Sequence, residues 1–307
     1  MNYEGFLTQV QKNVSDIIGE EGKVSVSHVI KNNGMELDGL IIMKKDSNVS
    51  PTIYLNSFYD ERCTGRPFDE IIDNIIEVYN ENKDKVTICA DFFMNFENIK
   101  EKIVYKVINY DQNTKLLQKV PHKKILDLAV VFYCLIEQGE LGNATALIYN
   151  THMQTWNVDI DAIYEIAIEN TPKLLKSNIK KMADIIKELF LQEHNFNEDE
   201  SLDIFNKIDG DDISADMFVL TNISRINGAA CMLYEDVLSD FANSIDSDLY
   251  ILPSSIHEVI IVPQVNNLDK TELCQMVKEV NAEGVAEDEI LSDHVYVYCR
   301  ESGQIHL

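Results

Sequence analysis

The apolar positions of the first segment, Phe6, Val10, Val14, Ile17 and Ile18, recur at helical spacing and stop at Gly19 and Gly22. That pattern predicts one amphipathic helix. Lys23 to Ile30 then alternates, with Val24, Val26 and His28 on one face, which is the period of a half-buried strand. Asn32-Asn33-Gly34 tolerates positive φ and reads as a turn. Leu40-Ile41-Ile42-Met43 returns from it, so 23–44 is expected to be a hairpin, with Thr52-Ile53-Tyr54-Leu55 as a short third strand. Pro67 suits a first helical turn, and Phe68, Ile71, Ile72, Ile75, Ile76 and Tyr79 form the face of the helix that follows.

Further along, the β-branched content of 102–109 favours a strand. The apolar runs Ile125–Ile136 and Ala144–Tyr149, separated by Gly139 and Gly142-Asn143, read as two adjacent buried strands joined by a tight loop. A helix is predicted over about 159–170, with Asp159 as N-cap and Pro172 just past its end. A second helix carries Ile179, Met182, Ile185, Ile186, Leu189 and Phe190. The last third reads β-α-β-β-α-β. Its strands are 217–220, Leu249–Leu252, His257–Val262 and Val295–Tyr298, the last followed by a short return at Ser302-Gly303. Its helices are a stripe from Ala230 to Ile245 and a segment capped by Asp269 and Glu272 that carries Leu273, Met276, Val277 and Val280. Strands and helices alternate loosely, with hairpins among them. This predicts an α+β fold, with mostly antiparallel or mixed sheets flanked by amphipathic helices, in two sub-domains.

The boundary is expected at 193–216. That stretch holds Glu193, Glu198, Asp199, Glu200, Asp203, Asp209, Asp211, Asp212 and Asp216 against a single Lys207, and so reads as an acidic connector. It divides an α+β domain at 1–192 from a β-α-β-β-α-β domain at 217–307.

Charge narrows the function classes. With 26 Lys+Arg against 52 Asp+Glu the chain carries −26, and Arg62, Arg66, Arg225 and Arg300 are its arginines. Direct binding to a phosphate backbone needs clustered cations and is disfavoured. An anionic membrane surface is disfavoured for the same reason. A basic protein partner suits such a surface, and a sharper version makes the chain a mimic of nucleic acid. The six cysteines form no C-x-x-C pair, and four lie in apolar runs, as buried reduced thiols do. The first residues lack a basic-then-apolar leader, and no stretch is long and apolar enough to span a bilayer. The expectation is a soluble, cytoplasmic protein without a cofactor.

Three stretches then point to a family: Pro121 to Tyr133, Leu141 to Ile148, and Tyr250 to Pro263. Together they resemble an uncharacterised family of gut Firmicutes proteins known as a domain of unknown function. The resemblance implies a bacterial, cytoplasmic origin and no particular activity.

The candidate chemistry is sparse. His257-Glu258 suggests a zincin, but Ile261 stands where the second histidine belongs and the segment reads as a strand. What remains is a polar cluster of Ser254, Ser255, His257 and Glu258 after Pro253, the candidate site of a hydrolase of unrecognised type. The plainer reading makes these residues a turn and a strand start. Asn143, His152 and Trp156 are weaker binding candidates, to be set against a turn and a tryptophan packed under a helix. No P-loop, G-x-G-x-x-G, G-x-S-x-G elbow or metal-ligand spacing occurs, and Asp209-Gly210-Asp211-Asp212 lacks the alternation of a calcium loop. A non-enzymatic interaction or regulatory protein therefore leads, ahead of the hydrolase. A small-molecule-binding domain is a third reading. It requires an apolar pocket with few polar groups and no nucleophile–base pair.

Overall fold

The computed structural model describes residues 1–45, 50–83, 93, 95–139, 142–194, 217–264 and 269–307. The expected connector lies outside them from residue 195 onward. The chain forms two compact units, each built from two stretches: Met1–Lys102 with Cys134–Val158, and Ile103–Tyr133 with Asp159–Leu307.

In the first unit, α1 (Tyr3–Ile18) is capped by Asn2, whose side chain accepts the Gly5 N–H at 3.0 Å. Its inward row Phe6, Val10 and Val14 is fully buried. β1 (Gly22–Ile30) and β2 (Glu36–Lys44) pair antiparallel with Val24 opposite Ile42 and Val26 opposite Leu40, and the turn puts Asn33 at φ 56. β3 (Thr52–Tyr54) adds to β2. A helix that the apolar pattern does not announce, α2 (Asn56–Cys63), follows; Phe58 is its buried residue. α3 (Phe68–Asn82) then closes the core with Ile71, Ile72, Ile75 and Tyr79.

The next strands are β4 (Ile103–Asn109), β5 (His122–Ile125), β6 (Leu128–Gly139) and β7 (Gly142–Leu147). β6 lies between β4 and β5 and also pairs with β7. The expected apolar run is thus a β5–β6 hairpin plus a long strand, with the turn made by Leu126 at φ 55. α4 (Asn150–Trp156) precedes α5 (Ile160–Leu174). Asp159 caps α5 as expected, through the Ala162 N–H at 2.9 Å. Pro172 is not beyond this helix but inside its last turn. Lacking an N–H, Pro172 cannot serve the carbonyl of Ile168, a residue that is itself exposed. Beside it, the buried Thr171 accepts the Tyr105 N–H at 3.0 Å and ties the helix to β4.

In the second unit, Ile179 belongs to a strand, β8 (Ser177–Lys181), and the helix expected there begins only at Met182, as α6 (Met182–His194). β8 pairs with β9 (Phe218–Asn222) from the far side of the connector. The stripe read from Ala230 to Ile245 is two pieces, a 3-10 segment at Gly228–Leu233 and α7 (Val237–Ser244), with Asp236 at φ 63 between them. β10 (Leu249–Leu252), β11 (Val259–Pro263), α8 (Lys270–Glu283), β12 (Tyr296–Cys299) and β13 (Gln304–His306) complete the chain. The sheet order is β13-β12-β10-β11-β9-β8. With three antiparallel sheets and packed helices, the fold is α+β.

Candidate functional site

Between β10 and β11 the chain leaves the sheet. Residues Pro253 to Glu258 run beside the segment that follows α8. Ile256 N–H donates to the Glu289 carbonyl at 2.9 Å, Leu291 N–H to the Ser254 carbonyl at 3.0 Å, and Ser292 N–H to the Pro253 carbonyl at 3.0 Å. The strand expected from His257 therefore starts two residues later, at Val259, because this arm spends its backbone bonds on the 289–292 segment.

A cleft of about 540 Å³ opens against this arm, within the rough 300–1,000 Å³ span of ligand sites. Met182, Met217, Leu252 and Ile260 line it from the sheet and the start of α6; Met276, Val277, Val280 and Val285 line it from α8 and its end. The helix is apolar over a wider arc than its packing uses. Leu273 and Val277 go into the core, whereas Met276 and Val280 remain 37% and 46% exposed. Ser254, Ser255, His257, Glu258 and Glu289 supply the polar lining. The four candidate residues after Pro253 thus share one concavity.

Their bonding is specific. The His257 N–H donates to Ser255 Oγ at 3.1 Å, and its carbonyl accepts from Thr221 Oγ1 at 2.8 Å. On the ring, Nδ1 accepts the Asn227 N–H at 3.2 Å, and Nε2 lies 3.3 Å from Glu289 Oε1. An Nδ1 that accepts must be unprotonated, so the proton sits on Nε2 and is donated to Glu289. No ring lone pair is left for a substrate, and neither serine hydroxyl is bonded to the imidazole. Glu258 is half-buried and makes no hydrogen bond or ion pair among the described residues.

The wall behind His257 is the turn from Thr221 to Gly228. The buried Asn222 side chain accepts from the Ser224 amide and hydroxyl and donates to the Ile226 carbonyl. These bonds hold Arg225 and Asn227 at φ 54 each, a conformation unfavourable for an arginine. Gly228 follows at a place with no room for a side chain. A Cβ there would meet Thr221 Oγ1 at 2.2 Å and the His257 carbonyl at 2.5 Å.

The other candidates lie in the first unit. Asn143 falls on β7. His152 and Trp156 are on α4, with their rings stacked at 5.4 Å. The Trp156 Nε1–H donates to the Phe93 carbonyl at 3.1 Å, and His152 Nδ1 accepts the Tyr149 N–H at 3.1 Å. Burial lowers the His152 pKa, favouring the neutral ring. Phe93 and Phe96 complete an aromatic cluster in which the indole N–H and the imidazole Nδ1 are both engaged.

Sequence reasoning missed a second polar cluster, in the second unit. The Asp127 carboxylate accepts from Ser292 Oγ at 2.6 Å and from the Tyr296 hydroxyl at 2.5 Å, with His294 Nδ1 at 3.0 Å. Burial pushes the Asp127 pKa up, but the Ser292, Tyr296 and His294 bonds outweigh it and the net shift is downward. A serine, a histidine and an aspartate meet here, yet the serine donates to the aspartate rather than to the free imidazole nitrogen. That makes the cluster a cross-link. Among the described residues no group of His, Cys, Asp and Glu could hold a metal ion, and no helix is long and apolar enough to cross a membrane.

Fold and site together define an α+β protein with a methionine-lined apolar cleft and a carboxylate–imidazole rim. The chain belongs to the family of unknown function DUF5688, whose model matches residues 3–300. No curated protein matches it, and no solved structure does.

Proposed function

We propose that this is a non-catalytic binding protein whose cleft in the second unit takes an apolar ligand. The observation that carries the reading is a cleft with eight apolar side chains, next to an imidazole whose two ring nitrogens are already bonded. A hydrolase built on Ser254 or Ser255 needs a hydroxyl on a basic imidazole nitrogen, and the bonding of His257 weighs against it. A reducing, cytoplasmic setting in a bacterium accords with this reading, since Cys63, Cys134, Cys231, Cys274 and Cys299 are all free.

The test uses Nile red, an uncharged apolar dye that brightens when desolvated. The intact protein is expected to bind it saturably. Met276→Asp and Val280→Asp, both at exposed positions, are expected to abolish the signal while leaving the circular dichroism unchanged. Undiminished dye binding in both variants contradicts the proposal.

A further inference from the structure

Building on the binding reading above, we infer that the occupant of the cleft is a basic amphipathic helix of a partner protein. Its apolar face lies on the methionine-lined walls, and one of its cationic side chains meets Glu258. Three independent features of the cleft support this.

The first is shape. Met276 and Val280 line the cleft one turn apart on α8, a row of about 6 Å at roughly 1.5 Å per residue, and Gly284, which caps the end of the helix, lines it next. Gly284 leaves the end of the row open. A straight apolar row suits an elongated ligand that anchors at successive helical turns. The second is the lining. Met182, Met217 and Met276 are three of the nine methionines in the chain. Flexible, polarisable thioethers adapt to varied apolar side chains and are favoured where a groove must accept a helix face.

The third is charge. Glu258 and Glu289 are the acidic lining groups, and among the described residues no Lys or Arg lines the cleft. Glu289 is engaged by His257. Glu258 is half-buried with no ion-pair partner among the described residues, and a half-buried carboxylate gains from an ammonium or guanidinium group. Glu258 also borders a separate cavity of about 60 Å³ with Lys180 and Arg225. Lys180 is bound to Glu188 at 2.7 Å, and Arg225 makes no ion pair with Glu258. The net charge of −26 steers a basic ligand toward the molecule.

The experiment uses the full chain and two synthetic helices of identical apolar pattern, one of leucine and lysine and one of leucine and glutamate. Binding is read by anisotropy of the labelled peptide and by displacement of Nile red. The leucine–lysine helix is expected to bind and displace the dye. Glu258→Gln should weaken it about tenfold, while Glu101→Gln, an exposed carboxylate in the first unit, should leave it unchanged. Equal binding of the leucine–glutamate helix overturns the inference. So does equal loss in the two Gln variants, which indicates non-specific attraction to the net charge. So does a dimer in sedimentation that Nile red dissociates, since the occupant is then a second copy. If Nile red binds and neither peptide displaces it, this inference fails and the binding reading stands. If Nile red itself does not bind, the binding reading fails.

Discussion

Asp127 lies in the turn between β5 and β6, and the donors to its carboxylate come from Ser292, His294 and Tyr296, more than 160 positions later. Asp127→Ala leaves these donors without their acceptor. It is expected to cost about 2–4 kcal/mol, the range for a partly buried, charge-assisted set of bonds. The pKa of Asp127 is lowered on folding, so its contribution is complete above the ordinary carboxylate value of 3.8 and is lost as pH falls through the folded value. Chemical denaturation of wild type and variant checks both points, because the difference between them should shrink in acid below 3.8. The thiols give a second test at this scale. Burial pushes Cys134 up to about 11 and Cys231 up to about 12, which makes both inert. The Ser302 amide and hydroxyl, with the Glu301 amide, lower Cys299. Brief alkylation at pH 8, read by mass spectrometry, should modify Cys299 ahead of both buried thiols, which react only on unfolding. The burial of Cys134 and Cys231 was legible from the apolar runs around them. The Asp127 cluster was not, because nothing local marks groups so far apart in the chain as neighbours.

At the level of elements, α1, the β1–β2 hairpin, α3 and α8 were legible because each carries a row of apolar side chains with the period of its own backbone. α2 and α4 were missed for the opposite reason, since they bury little and show no row: α2 buries Phe58 alone, and α4 contains no fully buried residue. The stripe from Ala230 to Ile245 misled because the left-handed Asp236 breaks the helix without a Gly or Pro to announce it. The turn from Thr221 to Gly228 carries the sharpest prediction at this scale. Gly228→Ala places a Cβ at 2.2 Å from Thr221 Oγ1, and both that hydroxyl and the backbone on either side are pinned by His257 and Asn222. The substitution is expected to destabilise by about 3 kcal/mol, at the upper end for overpacking, with the midpoint of a denaturation curve as the measure. The cleft itself was half legible. Met276 and Val280 stood in the predicted stripe of α8, and what the pattern could not reveal is that the stripe is wider than the core it serves.

The molecule combines a strong negative charge with a cleft in the second unit whose lining is largely apolar. Charge alone favoured a basic partner but located no surface for one; the cleft is the surface we propose, with His257 and Glu258 at its polar edge. The four residues read as a polar cluster after Pro253 share the rim of this cleft, and both ring nitrogens of His257 are bonded within the protein. The measurement that tests this account most directly is a methyl spectrum of the protein labelled with 13C at its methionines, recorded with and without Nile red. The Met182, Met217 and Met276 resonances are expected to move together on titration, while those of Met35 and Met232, which lie outside the cleft, stay in place. Dye-induced shifts at Met35 or Met232 with none at the three cleft methionines would contradict it.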